Sequence, residues 1–255
     1  VRGTVSNAYG YETGVTVNGF PAMIYDGQFV ANHVPLVEGE NEIIVHAQDR
    51  FGNSTEVYFS VFSSVTGPYV TLNIDDTVGV EPFESVLRVE SYSTVNSLNL
   101  MDTGSGQIEY IDGTEPTERI VNVAQEGIYY VTAEVSCVGG VFSDTVGFVI
   151  YDKDELDDQL RQKWEAMRTA LTNNDIDAAV HDISNKTKDV YRNAFGCISH
   201  EQLNTLVDEL SDIQFITMRG GSAEYDIQME RAGILRSFCL LFEIDADGLW
   251  KISRF

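Results

Sequence analysis

The chain has 255 residues and a formal charge of −24, from 16 basic and 40 acidic side chains. A surface this acidic repels phosphate backbones and anionic lipid, which argues against nucleic acid and membrane surfaces as partners. Hydrophobic residues make up 43% and aromatic residues 11%, the composition of folded material, and the length suits two or three domains, each with its own core.

The charge is uneven. Before Lys153 the only basic side chains are Arg2, Arg50, Arg88 and Arg119. Three cysteines, Cys137, Cys197 and Cys239, are too few and too scattered for a zinc site or a disulfide framework, and thiols are expected, with a Cys197–Cys239 pair left open. No apolar run reaches the ~18–20 residues of a membrane-spanning helix. The opening "VRGTVSNAYG" reads as though already inside a strand, so a fragment of a longer chain is expected.

Residues 1–64 are punctuated by turn signals. Asn18-Gly19 and Asp26-Gly27 sit between short apolar stretches, the signature of two-residue hairpins whose central positions need positive φ. In "GENEIIVHAQDRFGN", Ile43, Val45 and Ala47 point one way and Glu42, Ile44, His46 and Gln48 the other, which predicts a sandwich strand with one face buried. Asp49 and Asn53 bracket the turn that follows. The string "NG…VPLVEGENEIIVHAQDRFGN" resembles the Ig-like module of glucodextranase and of many exported bacterial proteins. That resemblance implies a non-catalytic β-sandwich whose first strand is missing ahead of Val1.

Residues 65–151 continue with alternating segments at Val86–Val89, 106–110 and 119–123. A Gly127-led strand then carries Tyr129, Val131, Ala133 and Val135 on one face, turns at Gly139-Gly140, and returns through Val146, Phe148 and Ile150. This last hairpin resembles that of PKD-like domains. At Tyr151 the apolar period changes from 2 to 3.6: Leu156, Leu160, Trp164, Met167 and Leu171 form one stripe of a long helix. A second helix is expected with Ile176, Ala179, Val180 and Ile183, and a third with Val190, Tyr191, Ala194 and Phe195. A further helix opens on the capping box Ser199–Gln202. From Ile213 the pattern is strand again, with Ala223, Tyr225, Ile227 and Met229 alternating against Glu224, Asp226, Gln228 and Glu230. Helices followed by antiparallel strands make an α+β layer. The order, the "WEAMRTAL" helix and the "DGLWKISRF" ending resemble the NTF2-like (cystatin-like) superfamily.

The expected fold class is therefore multi-domain. Two all-β sandwiches, Ig-like (1–64) and PKD-like (65–151), precede an α+β NTF2-like domain (152–255) with helices packed on a curved antiparallel sheet. The series as a whole resembles uncharacterised exported bacterial proteins, which implies an extracytoplasmic location.

The NTF2-like resemblance implies a cavity between sheet and first helix. The residues expected to line it are Trp164, Tyr191, Phe195, Tyr225, Phe238, Phe242 and Trp250, although an aromatic stripe of this kind is more often plain core. His181 and His200 read as surface residues or helix-end partners rather than bases. Tyr9 and Tyr11 in "NAYGYETG" are candidates for a surface contact with a sugar or a protein. Asp75-Asp76 and the acids of 102–112 read as solvated loops rather than a calcium site. "DADG" at 245–248 reads as a two-residue hairpin turn, because a calcium loop counted from Asp245 runs past residue 255 before its twelfth position. No metal and no cofactor is expected, and no catalytic residue stands out. The favoured role is a set of sandwich spacers presenting an NTF2-like domain that binds a small ligand or a protein, with a homodimer through its sheet. A small-molecule enzyme of isomerase, dehydratase or hydrolase type is the alternative, and a carbohydrate-binding module the second.

Overall fold

The computed structural model describes the chain apart from Val65, Ser211, Ala232 and Gly233 and the side chains of Glu230 and Arg231. Glu230, expected among the solvated strand acids, thus lies outside the described residues. Two compact units result, Val1–Asp152 with Asp247–Leu249, and Lys153–Ala246 with Trp250–Phe255.

In the first unit both hairpin signals form as the residues require. Asn18 and Gly19 have φ of 50° and 80°, and Asp26 and Gly27 have 45° and 69°, so each turn takes two left-handed residues. These turns join Thr13–Val17 to Phe20–Pro21 and Met23–Tyr25 to Gln28–Val30. One sheet runs Phe20–Pro21, Thr13–Val17, Gly39–Asp49, Ser54–Ser63; the facing sheet runs Arg2–Thr4, Gln28–Val30, Met23–Tyr25. Val15, Val17, Ile43 and Ala47 meet Ala22, Phe29 and Ala31 between them. The alternation of Gly39–Asp49 buries Ile43 and Ala47 as its sequence predicts, while Val45 is only half covered.

The second sandwich pairs a sheet ordered Glu109–Asp112, Glu118–Val123, Phe83–Ser91, Val70–Ile74 with one ordered Val95–Gly104, Gly127–Cys137, Gly140–Tyr151, Val78–Val80. The final pair is parallel. Tyr129 and Phe83 stack on Phe148 at centroid distances of 5.4 and 5.7 Å, and Tyr129 donates its buried hydroxyl to the Gln125 carbonyl at 2.9 Å. The strand expected at 106–110 begins only at Glu109. A side chain at Gly106 would meet Gln125 and the Tyr129 hydroxyl within 3 Å, so the chain passes there as a close approach and not as a ladder. Strand Val95–Gly104 was not legible, because Leu98 and Leu100 are only partly buried against the core. The two sandwiches are latched to each other. Asn32 exchanges two hydrogen bonds with the Gly147 backbone (2.7 and 2.9 Å), His33 lies 3.1 Å from Asp144, and Tyr151 donates to the Ile24 carbonyl.

In the second unit, helix α1 (Lys153–Thr172) buries Leu156, Leu160, Trp164, Met167 and Leu171, the stripe its spacing predicts. Helix α2 (Ile176–Ala179) is a single turn, shorter than expected. It stops because Ile183 leaves the helical path to bridge Ile252, with Ser184 N–H donating to the Ile252 carbonyl and Ile252 N–H to Asp182. Helix α3 (Lys188–Gly196) buries Phe195 and half-buries Tyr191, but Val190 (68% exposed) and Ala194 face out. Helix α4 (His200–Glu209) starts on the complete Ser199–Gln202 capping box. The sheet is a simple antiparallel meander of Ile213–Arg219, Ser222–Arg231, Ile234–Ile244 and Trp250–Arg254, with Ala223, Tyr225, Ile227, Leu240 and Phe242 buried.

The Phe83–Phe148–Tyr129 stack is the densest aromatic contact of the second sandwich. Phe148→Ala is expected to cost about 3–5 kcal/mol, the range for removing a fully buried ring, measured by urea unfolding of the whole chain.

Candidate functional site

The seven aromatic candidates do not gather at one place. Trp164, Tyr191 and Phe195 surround Phe255, a residue the sequence alone did not single out. Trp164 meets its ring edge-on at 5.3 Å, Tyr191 stacks on it at 4.8 Å and 12°, and Phe195 stacks at 6.4 Å. The Tyr191 hydroxyl also accepts from Phe255 N–H at 2.9 Å. Tyr225 and Phe242 form a second group, edge-on at 5.4 Å, with Phe215 edge-on to Tyr225 at 5.5 Å. Trp250 is buried at 4% exposure. Phe238 lies on the same sheet face as Leu240 and Phe242 but is 43% exposed, because that end of the strand runs past the helices' cover.

A tyrosine hydroxyl faces this interior. The Tyr225 ring is fully buried, and its hydroxyl lies beside Asp157 of α1 without a hydrogen bond of good geometry. Neither Tyr225 Oη nor Asp157 Oδ1 has a partner, although both are out of water. The other oxygen of Asp157 accepts from Arg161 Nε at 2.8 Å, and Arg161 reaches on to Asp212 at 2.6 Å. Burial, reinforced by the Asp157 carboxylate, pushes the Tyr225 phenol far above its usual range. The phenol therefore stays protonated and can act as a donor, never as a base at neutral pH.

Among the described residues of this unit, the other buried charged side chains are paired. Lys163 of α1, 3% exposed, lies 3.8 Å from Asp182, which also meets His181 Nδ1 at 2.9 Å. Asp245 and Lys251 are both nearly fully buried, 3.5 Å apart. Asp245 accepts from Asn185 N–H at 2.9 Å and from the Ser184 hydroxyl at 3.2 Å. Burial resists the charge on Asp245, but these donors and the Lys251 ammonium hold its pKa below the usual carboxylate value. The inward pull on Asp245 also corrects the "DADG" expectation. Ile244 pairs with Trp250, so residues 245–249 make a five-residue connection, with Gly248 at φ 80° and Leu249 N–H donating to Asp247. His200 meets the Thr172 carbonyl at the end of α1, a helix-end partner as expected. The strand acids Glu224 and Asp226 lie on the outer face, where they take contacts from Cys239 and Ser237.

On the first sandwich, Tyr9 (77% exposed) stacks on Tyr11 at 5.6 Å, and Tyr11 meets Phe51 edge-on at 4.6 Å. The two loops that carry these rings share one buried anchor. Asp49 accepts from Asn7 Nδ2, Phe51 N–H and both the side chain and N–H of Asn53, at 2.9–3.2 Å. Those donors lower its pKa, and local polar side chains of this kind are what the Asp49…Asn53 spacing implied. Tyr9 and Tyr11 are stacked face to face and Phe51 stands at 68° to Tyr11, so the three rings do not form the flat row a sugar would stack on. Asp75 pairs with Arg88 and Asp102 accepts from the Tyr110 hydroxyl, which gives both acidic segments protein partners. Cys137, Cys197 and Cys239 are free thiols.

Residues 1–65 match the family described as Glucodextranase, domain B. Among solved structures, the chain is similar to protocadherin gamma B7 extracellular cadherin domains 1–4, at 12% identity and a TM-score of 0.24, over 55% of this chain and 40% of that one. The chain thus spans less than half of that structure. No curated protein sequence matches it.

Removing one partner of a buried ion pair leaves the other charge stranded. Asp245→Ala is expected to destabilise the second unit by roughly 3–5 kcal/mol. Urea unfolding followed by tryptophan fluorescence reads it cleanly, since both tryptophans, Trp164 and Trp250, lie in that unit. Because the folded pKa of Asp245 is depressed, its contribution is complete above the unfolded value of about 4 and is lost as pH falls through the folded one. Asp245→Asn is expected to flatten that acid branch.

Proposed function

We propose that this is a non-catalytic, extracytoplasmic modular protein. The sandwiches of 1–64 and 65–151 serve as spacers that present an NTF2-like (cystatin-like) domain, 152–255, for ligand binding or protein association. The observation that carries the reading is the interior of the second unit. Its aromatic side chains pack ring on ring, and Lys163, Asp182, Asp245 and Lys251 are tied up in ion pairs. The likeness of residues 1–65 to glucodextranase domain B supports the spacer role and the location outside the cytoplasm. Among the described residues no helix is long and apolar enough to cross a membrane. Association is favoured by the apolar side chains left on the second unit's sheet, Ile216, Leu235 and Phe238 among them, 43–65% exposed. The sheet-mediated homodimer belongs to this reading.

A second reading rests on Tyr225 and Asp157. A buried donor beside a buried, unpartnered carboxylate oxygen is the kind of pair that could orient a small polar substrate, which keeps an isomerase, dehydratase or hydrolase activity as the alternative.

Tyr225→Phe separates the two. If the hydroxyl has no partner, its removal is neutral or slightly stabilising in urea unfolding read by tryptophan fluorescence. A loss greater than about 1 kcal/mol that persists in an Asp157→Ala background shows a hydrogen bond to something other than Asp157 held in the interior and overturns the filled-interior reading. For location, protease added to intact producing cells is expected to degrade the chain. Protection until lysis counts against it.

A further inference from the structure

Strand Ser54–Ser63, "STEVYFSVFS", is the outer strand of its sheet, and among the described residues it pairs with Gly39–Asp49 alone. Natural edge strands are blunted with lysine, proline or bulges. This one has no proline and no basic residue, Glu56 is its single charge, and its register with Gly39–Asp49 is unbroken over ten residues. Its apolar side chains are uncovered on both faces. Val57 (59%), Phe59 (40%) and the half-buried Val61 look inward, opposite Val45, Ile43 and Asn41. Tyr58 (54%) and Phe62 (80%) look outward. The facing three-stranded sheet does not reach far enough to cover Val57 and Phe59.

The backbone says which groups are free. On Gly39–Asp49 the even residues aim at the Asn18 side of the sheet, since Asn18 N–H donates to the Ile44 carbonyl and Ile44 N–H to Asn18 Oδ1. The odd residues therefore bond Thr55, Val57, Phe59 and Val61. The N–H and C=O groups of Glu56, Tyr58, Ser60 and Phe62 point outward, away from any strand.

We propose that Ser54–Ser63 is a self-association edge, on which the same strand of a second copy pairs antiparallel with Phe59 opposite Phe59. The inference does not depend on the role given to the second unit. Three features select a second copy as the occupant. Parity is met: a two-fold at Phe59 places Tyr58 opposite Ser60 and Glu56 opposite Phe62, joining outward-pointing groups through roughly eight backbone hydrogen bonds. The inner rows become continuous and apolar at their centre, Ile43–Phe59–Phe59–Ile43, flanked by Val45–Val57–Val61–Asn41. The charges are kept apart, because each Glu56 lies about 20 Å along the strand from its equivalent, whereas parallel pairing sets the two side by side. The product is one eight-stranded sheet spanning two copies. A single strand edge is a small interface, so the dimer is expected to be weak and concentration-dependent.

Sedimentation velocity over a dilution series of the full chain is expected to show a monomer–dimer equilibrium. Tyr58→Pro removes an outward N–H without breaking the internal ladder, and is expected to weaken dimerisation at least tenfold while leaving urea stability nearly unchanged. Phe59→Cys, in a chain with Cys197→Ser and Cys239→Ser, is expected to form a dimer-linking disulfide under mild oxidation, since non-hydrogen-bonded antiparallel neighbours lie within bridging distance. Glu56→Cys in the same background is expected not to. A monomer at every concentration overturns the proposal. So does a dimer that Tyr58→Pro leaves intact, or cross-linking that is equal at positions 56 and 59.

Discussion

Two ammonium groups out of water constrain the second unit more than any other feature. Lys163 on α1 and Lys251 on the last strand are each almost fully buried, and an unpaired buried charge costs several kcal/mol. Asp182 and Asp245 must therefore sit where they do. Asp182 precedes Ile183, whose bridge to Ile252 joins the chain after α2 to the sheet's edge strand. Asp245 begins the connection between the last two strands and also binds Ser184 and Asn185. The two pairs thus fix the same short segment from both sides, one through α1 and one through the sheet. The one-turn length of α2 and the five-residue connection at 245–249 both follow from that fixation.

How much of this was legible depends on the length scale of the signal. Strands whose inner face is wholly buried announce themselves by period: Tyr129, Val131, Ala133 and Val135 are all at 0% exposure, and so is most of the stripe on α1. Turns that demand left-handed residues are equally plain, because so few residue types tolerate them, as Asn18-Gly19 and Asp26-Gly27 show. Half-buried strands such as Val95–Gly104 carry no such contrast. Charged core residues are invisible for a different reason. Lys163 lies next to Trp164 on the helix and Asp157 next to Leu156, and only tertiary contact decides that each turns inward.

The candidate site was legible in its residue types and not in its grouping. Tyr225 and Phe242 come together because neighbouring strands carry them, while Trp164 and Tyr191 meet across helices through Phe255, a residue with no periodic partner in sequence. Tyr9 and Tyr11 were recognisable as loop aromatics. Their partner Phe51 lies forty residues on, and the link between the loops is the single carboxylate of Asp49.

The same comparison bears on what the molecule can do. General acid–base catalysis needs a titratable group within hydrogen-bond reach of the substrate's proton and free to change its charge as it acts. In the second unit the acids Asp182 and Asp245 are consumed in holding the fold, so either one used as a base would release a buried lysine as it acted. Among the described residues of this unit, Asp157 is the buried acid that keeps an oxygen without a hydrogen-bond partner, and its neighbour Tyr225 stays protonated and cannot serve as the base. Apolar surface is distributed in the opposite way. It lies open on the Ser54–Ser63 edge and on the strands of the second unit's sheet. The pairing of two copies proposed for the Ser54–Ser63 edge would have to form against the repulsion between two chains of charge −24 each, which is why it would be weak and would strengthen with salt.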